Sequence, residues 1–137
     1  MSKLIDTNIA IFLVNRKPAI IARVLDFAEV PLISLLTRVE LEGGISVQAD
    51  GGNLRRGRVD ALLSRVTVLP FEADIVEAYA GIVGALGFSR RRIIDRLIAA
   101  TAIVHDLVLI TANGPDFRDI PGLKLEVWPR PVIDPAQ

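Results

Sequence analysis

The sequence predicts an α/β fold: a central, mainly parallel sheet of about five short strands, flanked by helices on both faces. Three observations lead there. Short β-type apolar runs recur along the 137 residues, each is followed by a longer segment with helical spacing, and none is joined to the next by a two-residue hairpin turn.

Leu4-Ile5 is the first strand. Ile9 to Val14 and Ala19 to Phe27 read as helix, divided at Arg16-Lys17-Pro18 because the residue before a proline is disfavoured in helical conformation. Pro31 to Ser34 is the second strand, and Leu36 to about Val47 is helical, ended by the turn chemistry of Asp50-Gly-Gly-Asn53. Arg55 to Leu63 makes another helix. Val66 to Leu69 is the third strand, closed by Pro70, and Glu72 to Leu86 is amphipathic, with Ile75, Tyr79, Ile82 and Val83 at helical spacing and Gly87 as its stop. A helix from about Arg90 to Val104 leads into the fourth strand, Leu107 to Thr111, and Leu123 to Val127 is the fifth. One domain is expected over residues 1–128, with a Pro-rich tail over 129–137.

Composition narrows the function classes. With no Cys, thiol catalysis, thiolate metal sites and disulfides are excluded. Hydrophobic residues make up 51% of the chain, yet no apolar stretch approaches the ~18 residues of a membrane span, so a large core is expected. The start does not resemble a secretory signal peptide, since Asn15, Arg16 and Lys17 cut its apolar run, and a cytoplasmic location is expected. The 16 basic and 16 acidic residues cancel, so any polyanion must be held by local clusters.

In parallel sheets ligands gather at the carboxyl ends of strands, which gives Asp6, Ser34 and Thr111 a common address. Each nearby carboxylate has two readings. Asp6 is an N-cap or a functional group, and Glu40 closes a capping box with Thr37 or serves a site. Asp95 opens the apolar run Leu97-Ile-Ala-Ala-Thr-Ala102, where a carboxylate is costly unless it pairs with Arg90, Arg91, Arg92 or Arg96, or binds a metal. Asn113 and Asp116 are turn formers or site residues.

LIDTN at residues 4–8, ISLLTRVELEGG, DRLIAATA, and LVLITANGPDF followed by a strand with Trp128 occur in this order from Leu4 to Trp128. Together they resemble the PIN-domain ribonucleases, and most closely the toxins of VapBC-type toxin–antitoxin pairs. The resemblance implies a PIN-like fold and a Mg²⁺- or Mn²⁺-dependent endoribonuclease. Asp6, Glu40, Asp95 and Asp116 are its catalytic and metal-binding residues, supported by Thr7, Asn8, Ser34, Thr111 and Asn113. Asp6 and Asp95 are the principal ligands, and Glu40 a ligand or water-positioning base. Hard dications take oxygen ligands, and clustered carboxylates repel one another until a cation joins them. The resemblance also implies an RNA substrate, a small antitoxin partner and a homodimer.

This chain departs from the family pattern at three places: two positions after the strand-end Thr, where the family has Asp or Asn, it has the amide Asn113 with an acid only at Asp116; Ala112 stands where an arginine is usual; and Arg90-Arg-Arg92 precedes Asp95 where a small or turn-forming residue is common. The three arginines are candidate RNA contacts, although cations at a helix start oppose its dipole. Arg55, Arg56 and Arg58 form a second basic cluster. His105 reads as a helix end, and Tyr79 and Trp128 as core or interface. Two alternatives stand beside the nuclease. One is a catalytically weakened PIN-like binding module. The other is a phosphoacceptor signalling domain, which requires a lysine after a late strand that is missing near Thr111.

Overall fold

The computed structural model describes residues 1–45 and 52–132. Its strands are β1 (Lys3–Ile5), β2 (Leu32–Ser34), β3 (Thr67–Leu69), β4 (Val108–Thr111) and β5 (Lys124–Val127). The helices are α1 (Thr7–Val14), α2 (Pro18–Leu25), α3 (Leu35–Ile45), α4 (Asn53–Leu63), α5 (Ala73–Leu86) and α6 (Ile93–Val104). Short 3₁₀ turns occupy Arg90–Arg92 and Gly114–Asp116.

Among the described residues the five strands form one sheet in the order β3-β2-β1-β4-β5, and every pairing is parallel. Leu4 lies opposite both Leu32 and Leu109, so β1 is the central strand. Successive side chains of a strand point to opposite faces, and this alternation divides the core in two. Leu4 and Leu109 pack with Ile75, Ile82 and Ile98 of α5 and α6. Ile5 and Ile110 pack with Ile9, Ile20, Leu41 and Val59 of α1 to α4. Helices on both faces of a parallel sheet are what the sequence predicts.

Local chemistry sets the boundaries. Asp6 is the N-cap of α1, whose first residue is Thr7, two positions earlier than expected. Arg16 turns left-handed at φ 57°, and Pro18 then starts α2 with φ already suited to a helix and no N–H to lose. Gly87, at φ 83°, ends α5 as predicted. The expected helix from Arg90 divides into the 3₁₀ turn and α6. The expected end of α3 at Val47 and the start of the Asp50-Gly-Gly-Asn53 turn lie outside the described residues. In the expected tail, residues 129–132 carry no helix or strand, and 133–137 lie outside the described residues. Among the described residues, no helix is long and apolar enough to cross a membrane.

Candidate active site

The chain passes from β1 outward to β2 and β3 on one side and returns to β4 and β5 on the other, so the strand order reverses between β1 and β4 and a crevice opens at their carboxyl ends. Asp6 and Thr111 meet there. The Thr111 hydroxyl donates to Asp6 Oδ2 at 2.6 Å, and Asp6 Oδ1 accepts the Ile9 N–H at 2.9 Å. Asp6 is 3% exposed and Thr111 fully buried. Asp6 is therefore a helix cap through one oxygen and is held by Thr111 through the other, so the cap leaves its second reading open. Burial pushes the Asp6 carboxyl above its ordinary range, against the opposing pull of these two hydrogen bonds.

β2 delivers the next group. It runs directly into α3, and the Leu36 N–H bonds to Ser34 Oγ at 3.0 Å. Thr37 therefore lies inside the helix, and the capping box, one of the two readings of Glu40, is not formed. Glu40 Oε1 instead accepts the Thr7 hydroxyl at 2.6 Å, and the Thr7 and Thr37 hydroxyl oxygens are 3.0 Å apart. Since Thr7 gives its proton to Glu40, buried Thr37 donates to Thr7, and the chain of hydroxyls aims the carboxylate. Thr37 was missed as a positioning residue. Its spacing to Glu40, three residues along one helix, was the available signal.

Asp95 stands in the first turn of α6. The alternative of a salt bridge with Arg90, Arg91, Arg92 or Arg96 is not formed: Arg96 Nη1 is spent on the Gly87 carbonyl at 2.7 Å, and Arg92 reaches Asp116. Desolvation first, then the negative charges of Asp116, Asp6 and Glu40, push Asp95 up to about 6, with Arg92 opposing. One carboxylate thus feels all the others. The expected acidic residues are brought into a common electrostatic field, with Asp95 as the group they share.

The fourth corner comes from the loop after β4. Thr111 Oγ1 accepts the Asn113 N–H at 2.9 Å, and the Asn113 amide donates to Asp116 Oδ2. Asn113 thus holds the acid rather than replacing it. Asp116 Oδ1 lies 3.4 Å from Arg92 Nη1. Asn8 is exposed in the first turn of α1, and Arg90 and Arg91 are exposed beside the site. Arg130, three residues past the end of β5, also acts on Asp6 through its charge, and nothing in its spacing had marked it.

These donors suit a hard dication: the set is carboxylate and amide oxygen, without thiolate or imidazole. Among the described residues no group of three or more Asp, Glu or His side chains is placed to hold a metal ion.

Other candidates leave the site. His105 caps the end of α6, exposed, before β4 begins at the opposite edge of the sheet. Trp128 is 3% exposed, packs on Phe27 with ring centroids 5.7 Å apart and donates to Glu126. Arg55 bonds Asn15, and Arg56 pairs with Glu42 and Asp60, so two members of the second basic cluster serve structure. Lys3 and Lys124 begin β1 and β5, and no lysine stands in the 112–123 segment after Thr111, which counts against a phosphoacceptor site.

A family model described as PIN domain matches residues 3–123. The chain belongs to the PIN-domain family. Within it, this PIN domain is similar to VapC proteins. Ribonuclease VapC2 of Rickettsia felis is 29% identical over 135 residues, covering 93% of this chain and 98% of that protein. The tRNA(fMet)-specific endonuclease VapC of Shigella flexneri is 30% identical over 129 residues, covering 91% and 96%. Among solved structures, VapBC2 from Rickettsia felis bound to a DNA fragment from its promoter superposes with a TM-score of 0.82. That match is 27% identical and covers 93% of this chain and 99% of that one. The expected PIN-like α/β fold is the observed one.

Proposed function

We propose that the chain is a metal-dependent endoribonuclease, the toxin of a type II toxin–antitoxin pair, hydrolysing RNA phosphodiester bonds. The observation that carries this reading is the Asp6–Thr111 hydrogen bond at the crevice of the sheet, with Asp95 close enough to feel the charges of Asp6, Glu40 and Asp116. Asp6 and Asp95 are the principal ligands of a Mg²⁺ or Mn²⁺ ion, which when bound supplies positive charge to the phosphate and makes water more acidic. Glu40, aimed by Thr7, orients the attacking water and accepts its proton. Asn113 holds Asp116 as the fourth acid. Arg90 and Arg91 are free of the acidic mouth and meet RNA phosphates as it enters. Asn113 acting on Asp116 favours an enzyme over a weakened binding module, because the acid that seemed displaced is held in place.

The experiment is RNA cleavage with and without chelation. EDTA is expected to stop cleavage and added Mn²⁺ or Mg²⁺ to restore it; cleavage indifferent to EDTA would sink the reading.

A small antitoxin is the proposed partner, since the solved relatives are VapBC assemblies. A groove of about 650 Å³ supports it, lined by Val24, Leu25, Phe27, Val30 and Leu62, with Arg58 at its wall. Leu25 is 77% exposed, so Leu25→Asp leaves the core alone. It is expected to weaken binding of the cognate antitoxin about tenfold, about 1.4 kcal/mol, by calorimetry. Unchanged affinity would move the partner elsewhere. The proposed homodimer rests on the apolar excess, with Val39, Val76 and Phe88 exposed outside this groove.

A further inference from the structure

We propose that Phe88 is a base-stacking residue for single-stranded RNA, with Arg90 and Arg91 holding phosphates next to the stacked base. This rests on the ribonuclease reading above and deepens it by giving the loop from α5 to α6 to the substrate.

The loop is short and fixed on both sides of the ring. Gly87 ends α5 at φ 83° and ψ 163°, a conformation close to glycine's alone, and the chain turns sharply there into Phe88. The Gly87 carbonyl accepts Arg96 Nη1 at 2.7 Å, and the Ser89 carbonyl accepts the Arg92 N–H at 3.2 Å. The residues before and after Phe88 are thus both tied to the start of α6. Arg96 is 6% exposed and has no carboxylate partner among the described residues. A guanidinium is costly to bury, and the Gly87 carbonyl together with the C-terminal end of the α5 dipole offsets that cost. A buried charge therefore fixes the backbone of this loop.

What the fixed loop presents is an aromatic ring in solvent. Phe88 is 66% exposed and joins neither half of the core. A lone apolar side chain on a surface is ordinary; this one differs in its rigid backbone and its cationic neighbours. Arg90 and Arg91 are exposed and have no ion pair among the described residues, and in a 3₁₀ turn their side chains spread in different directions. Arg92, the third of the run, turns back to Asp116 and joins the loop to the acidic mouth, one helical turn from Asp95. An aromatic face among free guanidinium groups matches a single strand, whose bases stack on rings and whose phosphates seek cations. A second copy of the chain fits less well, because a two-fold contact through this loop would set the arginines of both copies together. Val39 and Val76, each followed by a glutamate, carry no such cluster.

Fluorescence anisotropy of a short labelled single-stranded RNA of mixed sequence, titrated with the full chain in EDTA at low salt, tests this without cleavage or metal. Melting curves confirm that each variant is folded. Phe88→Ala and Phe88→Leu are each expected to weaken binding about tenfold and Phe88→Trp to keep it, because stacking needs a ring and not only apolar area. RNA is expected to quench the fluorescence of Phe88→Trp but not that of the parent, whose Trp128 is buried. Replacing Arg90 and Arg91 by Gln is expected to flatten the slope of log affinity against log salt by about 0.7 for each arginine lost. Phe88→Leu binding within about twofold of the parent overturns the proposal, as does an unquenched Phe88→Trp. So does Phe88→Ala that loses self-association in sedimentation with its RNA affinity unchanged, which gives the ring to a second copy. In these three outcomes the ribonuclease reading stands, since cleavage and its response to EDTA test it separately. A parent with no affinity for RNA overturns both.

Discussion

Asp95→Asn is expected to abolish RNA cleavage while making the metal-free protein more stable. Both effects come from one carboxylate. Asp95 is half-buried and surrounded by Asp116, Asp6 and Glu40, and its pKa is raised from 3.8 to about 6. Between these values the folded protein holds a proton that the unfolded chain has released, so stability falls as pH rises through that window and stays at its lower level above it. The cost at neutral pH is about 1 kcal/mol once solvent screening at a half-buried position is allowed for. The amide has the same shape and no charge, so it removes this cost. Thermal melts from pH 4 to 8 in EDTA should show the wild type losing stability as pH rises and the variant losing less, the remainder belonging to Asp6, whose pKa is raised in the same sense.

Mn²⁺ should reverse the order, because an ion that binds only the folded state adds stability in proportion to its affinity, and the amide is the weaker ligand. Cleavage should fall on the order of 10²- to 10³-fold or more, the scale of losing a group that organises charge at a reacting centre. A variant that is both active and no more stable in EDTA would show that Asp95 lies outside the chemistry.

The parallel sheet could be read in advance because each buried strand is a short apolar run with a helix behind it, and crossovers of that kind leave little choice of pairing. The same rule placed Asp6 and Thr111 at one edge, since both terminate such runs. What local patterns could not supply was the pairing of groups brought together only by folding. Thr37 and Glu40 match a capping box in spacing, yet Ser34 already serves Leu36 and shifts the helix start, which releases Glu40 to Thr7, 33 residues away in sequence. Arg92 was weighed against its neighbour Asp95, whereas its partner is Asp116, 24 residues on, in a loop whose return over α6 no helical periodicity announces. Asn113 read as a weaker, neutral ligand for the same reason: its bond to Asp116 exists only once the 3₁₀ turn has formed.

Asp6→Asn and Asp6→Ala should separate two duties that one side chain performs. Asparagine caps helices about as well as aspartate, so Asp6→Asn keeps the bond from the Ile9 N–H and a polar partner for the Thr111 hydroxyl. It also removes the cost of holding a charge at 3% exposure, so its stability should stay within about 1 kcal/mol of the parent. Asp6→Ala loses the cap, about 1 kcal/mol, and strands the buried Thr111 hydroxyl, a further 1–3 kcal/mol or so. Its Tm should therefore fall by about 10 °C for a chain of this size. Cleavage should be lost in both, by about 10²-fold or more, because neither side chain offers the negative oxygen that the proposed ion needs. The diagnostic outcome is the folded, inactive asparagine variant. If Asp6→Asn cleaves RNA at the parental rate while Asp6→Ala merely melts early, the residue is a helix cap and the chemistry belongs to the other carboxylates.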